Sequence, residues 1–133
     1  MKIGALIITY NPDLIVLKKN FEAIKDQVDE IAIVDNGSNN INKILNITNK
    51  EAKIIKNDKN MGIAFALNQG MEFFKKNGYS WVITLDQDSI LSKDSVKKMM
   101  KYSSENIGIL CPRIKYLGRS NEKIKINTSF YFF

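Results

Sequence analysis

Ile3-Gly4-Ala5-Leu6-Ile7-Ile8-Thr9-Tyr10-Asn11-Pro12 is the stretch on which the fold turns. From Ile3 to Thr9 no residue is charged, and Asn11-Pro12 then closes the run. An apolar run without polar alternation is the mark of a strand buried on both faces, the usual state of a central strand in a parallel sheet. The run is too short to span a bilayer and no small-residue cleavage site follows it, so it reads neither as a membrane helix nor as a signal peptide.

Outward from this strand, apolar runs recur at Glu30 to Asp35, Ala52 to Asn57 and Trp81 to Asp86, with a fifth at Ile107 to Cys111. Helical patterns fill most of the intervals. Asn11 reads as an N-cap with Pro12 at the first helical position, ahead of an apolar face of Leu14, Leu17, Phe21, Ile24 and Val28. A second helix, Ile63 to Lys76, carries Ile63, Leu67, Met71 and Phe74 and stops at Asn77-Gly78, a suitable left-handed cap. A third starts near Ser92 and runs through Val96, Met99 and Met100, and Asn39 to Asn49 has a weaker helical pattern. Strands alternating with helices predict an α/β, Rossmann-like three-layer sandwich around a mostly parallel sheet.

The bulk properties agree with one globular domain. The chain has 133 residues, 44% of them hydrophobic, enough for a core without disulfide or metal staples. Its one cysteine, Cys111, lies in an apolar run and reads as a small buried hydrophobe, which points to a reducing, cytoplasmic setting. The absence of histidine excludes a Ser-His-Asp triad and histidine-ligated zinc. The net charge of +6 is spread in lysine doublets on helical faces, without the basic and aromatic interleaving of a nucleic-acid platform, so no nucleic-acid partner is expected. Attraction to phosphates or anionic headgroups, and with it peripheral association at the inner face of a membrane, fits that charge.

The chain from Arg113 to Phe133 differs in character. Lys123-Ile124-Lys125-Ile126 alternates like a half-exposed strand, and Phe130-Tyr131-Phe132-Phe133 follows. Such an aromatic cluster either folds back on the sheet or meets a downstream segment or a second copy as a homodimer.

In an open parallel sheet, ligands bind beyond the carboxyl ends of the strands. Those ends are polar here: Thr9-Tyr10-Asn11, Asp35-Asn36-Gly37-Ser38, Asn57-Asp58-Lys59-Asn60-Met61-Gly62 and Asp86-Gln87-Asp88-Ser89. Asp86 and Asp88 flank one residue at a strand end, and two hard carboxylates there suit Mg²⁺ or Mn²⁺, with a diphosphate supplying further oxygens. Capping of the turn and the next helix is the competing role for both. Asp35 is placed to accept hydrogen bonds from a ribose or base, or else to build a plain Asp-Asn-Gly-Ser turn. Gly62 lets backbone amides approach a nucleotide, or is an ordinary loop glycine. The lysine and Ser/Thr of a Walker loop are missing and no GxGxxG occurs, which removes P-loop and dinucleotide readings.

Together, Ile7-Ile8-Thr9-Tyr10-Asn11-Pro12, Val34-Asp35-Asn36-Gly37-Ser38, Asn60-Met61-Gly62-Ile63-Ala64 with Asn68-Gln69-Gly70, and Leu85-Asp86-Gln87-Asp88-Ser89 resemble family 2 glycosyltransferases. The Asp-Gln-Asp-Ser form resembles the rhamnosyltransferase branch, and the resemblance spans residues 1–112. It implies a GT-A fold, truncated on its C-terminal side, in which residues 1–112 bind the donor and 113–133 begin an acceptor-binding half. It implies inverting transfer of a sugar from a nucleoside diphosphate, dTDP-rhamnose or a UDP-sugar, to a glycan or lipid-linked acceptor. Thr9, Tyr10 and Asn11 would line the nucleotide pocket and Asp35 would contact the base. Asn60, Gly62 and Asn68 would border the nucleotide and phosphates, Asp86 would face ribose or sugar, and Asp88, with Asp86, would hold the metal. The family's general base has no match in this chain and is expected beyond Phe133. A non-catalytic interaction module with a vestigial nucleotide site is the alternative. A sugar nucleotidyltransferase is disfavoured, because its glycine-rich basic loop is replaced by Thr9-Tyr10-Asn11-Pro12.

Overall fold

A computed structural model of the chain describes residues 1–113 and the strand 130–132. The elements run β1 (Ile3–Thr9), α1 (Leu14–Ile24), β2 (Glu30–Asp35), α2 (Ile41–Thr48), β3 (Lys53–Lys56), α3 (Ile63–Lys76), β4 (Trp81–Asp86), α4 (Ser95–Met100) and β5 (Phe130–Phe132). They form one sheet in the order β3-β2-β1-β4-β5. The first four strands are parallel and β5 is antiparallel to β4. β1 is central, as its unbroken apolar run predicts.

Alternate residues of the strands face two separate cores. Ala5, Ile7, Ile31, Ile33, Ile83 and Leu85 pack with Leu17, Phe21 and Ile24 of α1, Ile44 of α2 and Val96 of α4. Leu6, Ala32, Val34 and Val82 pack with Ala66 and Phe74 of α3 and with Tyr79. The result is the expected three-layer sandwich. Each large side chain buried in this way contributes roughly 1.5–3 kcal/mol. At the opposite edge from the strand C-termini, the Tyr79 hydroxyl donates to Glu30 Oε2, tying the start of β4 to the start of β2. Burial and then that hydrogen bond push the Tyr79 hydroxyl up to about 12.

The helix on the second face lies unusually close to the sheet. A Cβ on Gly70 would come within 2.2 Å of the Leu6 side chain, and one on Gly4 within 2.3 Å of the Phe74 ring. Strand glycine thus receives a helix ring, and helix glycine receives a strand side chain. The buried stripe of α3 is accordingly Ala66, Gly70 and Phe74. The expected stripe was misjudged at its start, where Ile63 is 61% exposed, although Leu67 and Met71 pack partly against the core. Two small residues, Ala66 and Gly70, share with Phe74 the face that touches the sheet.

Three further expectations are corrected. α1 is capped by Asp13, whose carboxylate accepts from the amides of Ile15 and Val16 at 2.8 and 3.1 Å, and not by Asn11 with Pro12 in the helix. Asn11 has φ +44°, outside the extended backbone that an N-cap takes, and its side chain is used elsewhere. The run Ile107 to Cys111 is not a strand, since the fifth strand is β5. Ile107 and Leu110 lean on the core from an irregular segment, which leaves Ile109 and Cys111 exposed, so Cys111 is not a buried hydrophobe. Pairing of Phe130–Phe132 with β4 is the fold-back alternative for the aromatic segment. Lys123 to Ile126 lie outside the described residues.

Candidate functional site

Parallel register brings the strand ends level. Thr9 is paired with Asp35, Asp35 with Lys56, and Ile8 with Asp86. The four polar loops therefore leave the sheet along one edge, and three groups of hydrogen bonds fix how they meet.

The first group joins the loops after β1 and β2. Asp35 is 2% exposed, and its carboxylate accepts from the Thr9 hydroxyl at 2.9 Å and from both the amide and the hydroxyl of Ser38. A carboxylate has about four lone-pair sites. Three are filled from within, which satisfies most of the hydrogen-bonding capacity of this buried carboxylate. The Asn11 amide donates to Ser38 Oγ at 2.8 Å, and Asn11 Oδ1 accepts the Asn39 amide at 2.8 Å, so the left-handed turn at Asn11 is stitched to the β2 loop.

The second group joins the loops after β2 and β3 to α3. Asn36, 3% exposed, donates to Asn60 Oδ1 at 2.9 Å and to the Gly62 carbonyl at 3.3 Å, and accepts from the Met61 amide at 2.9 Å. Asn57 and Gln69 exchange a reciprocal pair of amide hydrogen bonds at 2.8 and 2.9 Å. Gly37, with φ +89°, lets the two loops touch, because a Cβ there would fall 2.7 Å from the Lys59 Cα. These contacts set Gly62, the residue that opens α3.

The third group is the turn after β4. The Ser89 amide donates to the Asp86 carbonyl at 3.1 Å, closing Asp86-Gln87-Asp88-Ser89 into a turn from which both carboxylates are exposed. Partial burial first, and the charge of Asp88 second, raise the Asp86 carboxyl above its ordinary value. Two carboxylates that repel one another at an accessible turn are a donor set a divalent cation would relieve. Among the described residues no group of three or more acidic or cysteine side chains gathers as a full ligand cage. Gln87 Oε1 accepts the Tyr10 amide at 2.9 Å, and Asn20 Nδ2 of α1 donates to the Asp86 carbonyl at 2.8 Å.

The structure thus brings together Thr9, Tyr10, Asn11, Asp35, Asn60, Gly62, Asp86 and Asp88 along one edge. Asn68 is exposed on α3 and stands outside the amide network, which its neighbour Gln69 joins instead. Sequence reasoning missed Asn20, Asn36, Ser38, Asn57, Gln69 and Gln87 as the residues that hold the others. Asn20 carried a signal: it falls between Leu17 and Ile24 on a helical stripe that should be apolar.

The sequence profile of Glycosyl transferase family 2 matches residues 5–132. A dTDP-rhamnosyl transferase, RfbF of Shigella flexneri, is 33% identical over 111 residues, covering 83% of this chain and 38% of its own length. The chain spans less than half the length of the curated relatives it matches. Among solved structures, TarS residues 1–349 of S. aureus superposes with TM-score 0.69 at 19% identity, covering 92% of this chain and 39% of that one. Glucosyl-3-phosphoglycerate synthase of Mycobacterium tuberculosis, in complex with Mn²⁺, uridine diphosphate and phosphoglyceric acid, superposes with TM-score 0.63 at 16% identity, covering 81% and 41%. At these identities the structures speak to the fold, which is GT-A. No helix among the described residues is long and apolar enough to cross a membrane.

Proposed function

The chain belongs to glycosyl transferase family 2, and from that premise we propose that it is the donor-binding part of a rhamnosyltransferase-like enzyme that uses a nucleoside-diphosphate sugar, dTDP-rhamnose or a UDP-sugar. The observation that carries this reading is the meeting of four polar loops on one sheet edge, with Thr9, Asp35, Asn36 and Asn60 already fixed by internal hydrogen bonds. Preorganised groups lose little freedom when a ligand arrives.

In this reading the remaining acceptor site on Asp35 takes a base or ribose donor, while Tyr10 and Asn11 line the same pocket. Asn60, the amides around Gly62, and Asn68 border the phosphates, favoured by the N-terminal end of α3. Asp86 faces the ribose or sugar and joins Asp88 on Mg²⁺ or Mn²⁺, with diphosphate oxygens completing the shell. The bound cation would offset negative charge on the diphosphate as its bond to C1 breaks and an acceptor oxygen bonds to C1 from the opposite side, with inversion, the acceptor proton passing to a base outside this donor site. The residues named here bind and orient the donor. The M. tuberculosis synthase, solved with Mn²⁺ and uridine diphosphate on the same fold, supports the choice of ligands. The acceptor is proposed to be a glycan or lipid-linked glycan. Contact with an anionic membrane surface is proposed through the groove between α1 and α2, whose lining includes Ile15 with Lys18, Lys19 and Lys43 against one acid, Glu22.

Titration calorimetry with dTDP or UDP, with and without Mn²⁺, tests the reading. Binding is expected to strengthen with Mn²⁺ and to lose that gain in Asp88→Ala. Failure of both nucleotides to bind at millimolar concentration overturns it.

A further inference from the structure

We propose that Asn20 is a positioning residue for the Asp86–Ser89 turn, holding the direction of its two carboxylates from inside the core; the proposal rests on the donor-site reading above. Asn20 lies in the middle of α1, fully buried, on the stripe that also buries Leu17, Phe21 and Ile24. A polar amide is out of place there unless its groups are paired. It is paired on one side alone. Nδ2 donates to the Asp86 carbonyl at 2.8 Å, whereas Oδ1 is buried without a hydrogen-bond partner among the described residues. Leucine has the same number of side-chain heavy atoms, though bulkier ones, and would leave no orphaned acceptor, so packing alone does not call for an amide at this position.

The reason lies at the other end of the bond. The Asp86 carbonyl also accepts the Ser89 amide that closes the turn. A carbonyl oxygen has two lone pairs, and here both are engaged. That fixes the peptide plane between Asp86 and Gln87, and with it the directions in which the side chains of Asp86 and Asp88 leave the backbone. The turn is otherwise exposed and tethered at Gln87 by the Tyr10 amide. A long helix packed into the core is a firmer anchor than a loop, and preorganisation of ligands by a rigid second layer is how accurate metal geometry is held.

The test is Asn20→Leu, compared with wild type by thermal melting, by amide hydrogen exchange at Ser89, and by UDP or dTDP titration with and without Mn²⁺. The expected result is an unchanged or higher melting temperature, faster exchange at Ser89, an unchanged metal-free affinity, and a Mn²⁺-dependent affinity reduced by about 3- to 10-fold. An unchanged Mn²⁺-dependent affinity, or equal losses with and without metal, overturns the proposal. Where wild type binds neither nucleotide, the donor-site reading has failed by itself, and Ser89 exchange still decides: unchanged exchange in the variant overturns the positioning role. If Asn20→Leu does not fold, Asn20→Ser, whose hydroxyl is too short to reach Asp86, takes the same measurements. Failure of both to fold also overturns it, because the proposal requires a fold indifferent to this amide.

Discussion

The backbone amide of Tyr10 donates to Oε1 of Gln87 at 2.9 Å across 77 positions of sequence. The middle residue of the acidic triplet thereby fastens the loop after β1 to the turn after β4. A nucleotide contacting the one and a cation held by the other would meet a single object. Gln87→Met keeps the length and removes the acceptor. A net hydrogen bond of this kind is worth roughly 0.5–1.5 kcal/mol. Calorimetry should show Mn²⁺-dependent nucleotide affinity lowered by about 3- to 10-fold with little change in melting temperature; equal affinity would mean the two loops act independently.

Gly37 and Gly62 share positive φ but not surroundings. A Cβ at Gly37 meets the Lys59 backbone, whereas one at Gly62 meets nothing within 4 Å. Positive-φ backbone alone costs a residue with a Cβ roughly 1–3 kcal/mol. Gly37→Ala should therefore lower the melting temperature further than Gly62→Ala, by about 4 °C or more beyond it. Equal shifts would show that the loops separate at no cost.

Partial burial first, and the charge of Asp88 second, raise the Asp86 carboxyl above its ordinary value, so the folded state holds this proton more tightly than the unfolded chain does. At this position stability is complete below the unfolded value and is lost as pH rises through the folded one. Asp86→Asn should raise the melting temperature of the metal-free protein at neutral pH by about 1–3 °C, a modest effect at an accessible pair. At acid pH, where Asp86 carries its proton, the two proteins should melt alike. In wild type, Mn²⁺-dependent nucleotide binding should weaken on acidification, beginning above the ordinary carboxylate range. A pH-independent difference between the proteins would remove the electrostatic account.

Tyr79, pushed up to about 12, gives a test at the far edge of the sheet. The unfolded tyrosine ionises near 10. Stability is whole below that value and falls as pH rises between about 10 and 12, because the unfolded chain releases the proton first. Tyr79→Phe removes this component, so the difference in melting temperature between the two proteins should shrink across that window. A constant difference would place the Tyr79 ionisation at its unfolded value.

Lys18, Lys19 and Lys43, with Glu22, line the same groove as Ile15, and Ile15 is 70% exposed. A lysine near an anionic bilayer contributes roughly 1 kcal/mol. Reversing all three to glutamate should reduce partition onto phosphatidylglycerol vesicles by about 100-fold at low salt, with no binding of either protein to phosphatidylcholine. Equal partition of both proteins would overturn the proposed membrane role of this groove.

Much of the architecture was legible because strong apolar periodicity decides it. β1, β2 and β4 begin and end where their runs predict, and α3 does so as well. The site edge was legible for the same reason: a parallel sheet puts every strand's C-terminus on one side, and the polar residues there stand out against apolar runs. What the sequence hid was of two kinds. Asn11-Pro12 satisfies the local rule for a helix start, and only contacts with Ser38 and Asn39, distant in sequence, show that Asn11 is spent on a turn. Ile107 to Cys111 has strand composition, yet the place beside β4 belongs to Phe130–Phe132. The supporting amides Asn36, Asn57 and Gln69 are invisible to periodicity, because their partners are set by tertiary approach alone.

The reciprocal glycines of β1 and α3 set how near the helix lies to the sheet. Gly4 and Gly70 hold the helix against the strand by the absence of two methyl groups. Restoring either one obliges a buried ring or leucine to turn away, or the helix to rise, and a rising helix carries Gly62 and the loop before it along. The position of the edge where the polar loops meet is thereby open to change from the floor of the molecule, by substitutions that lie in none of those loops.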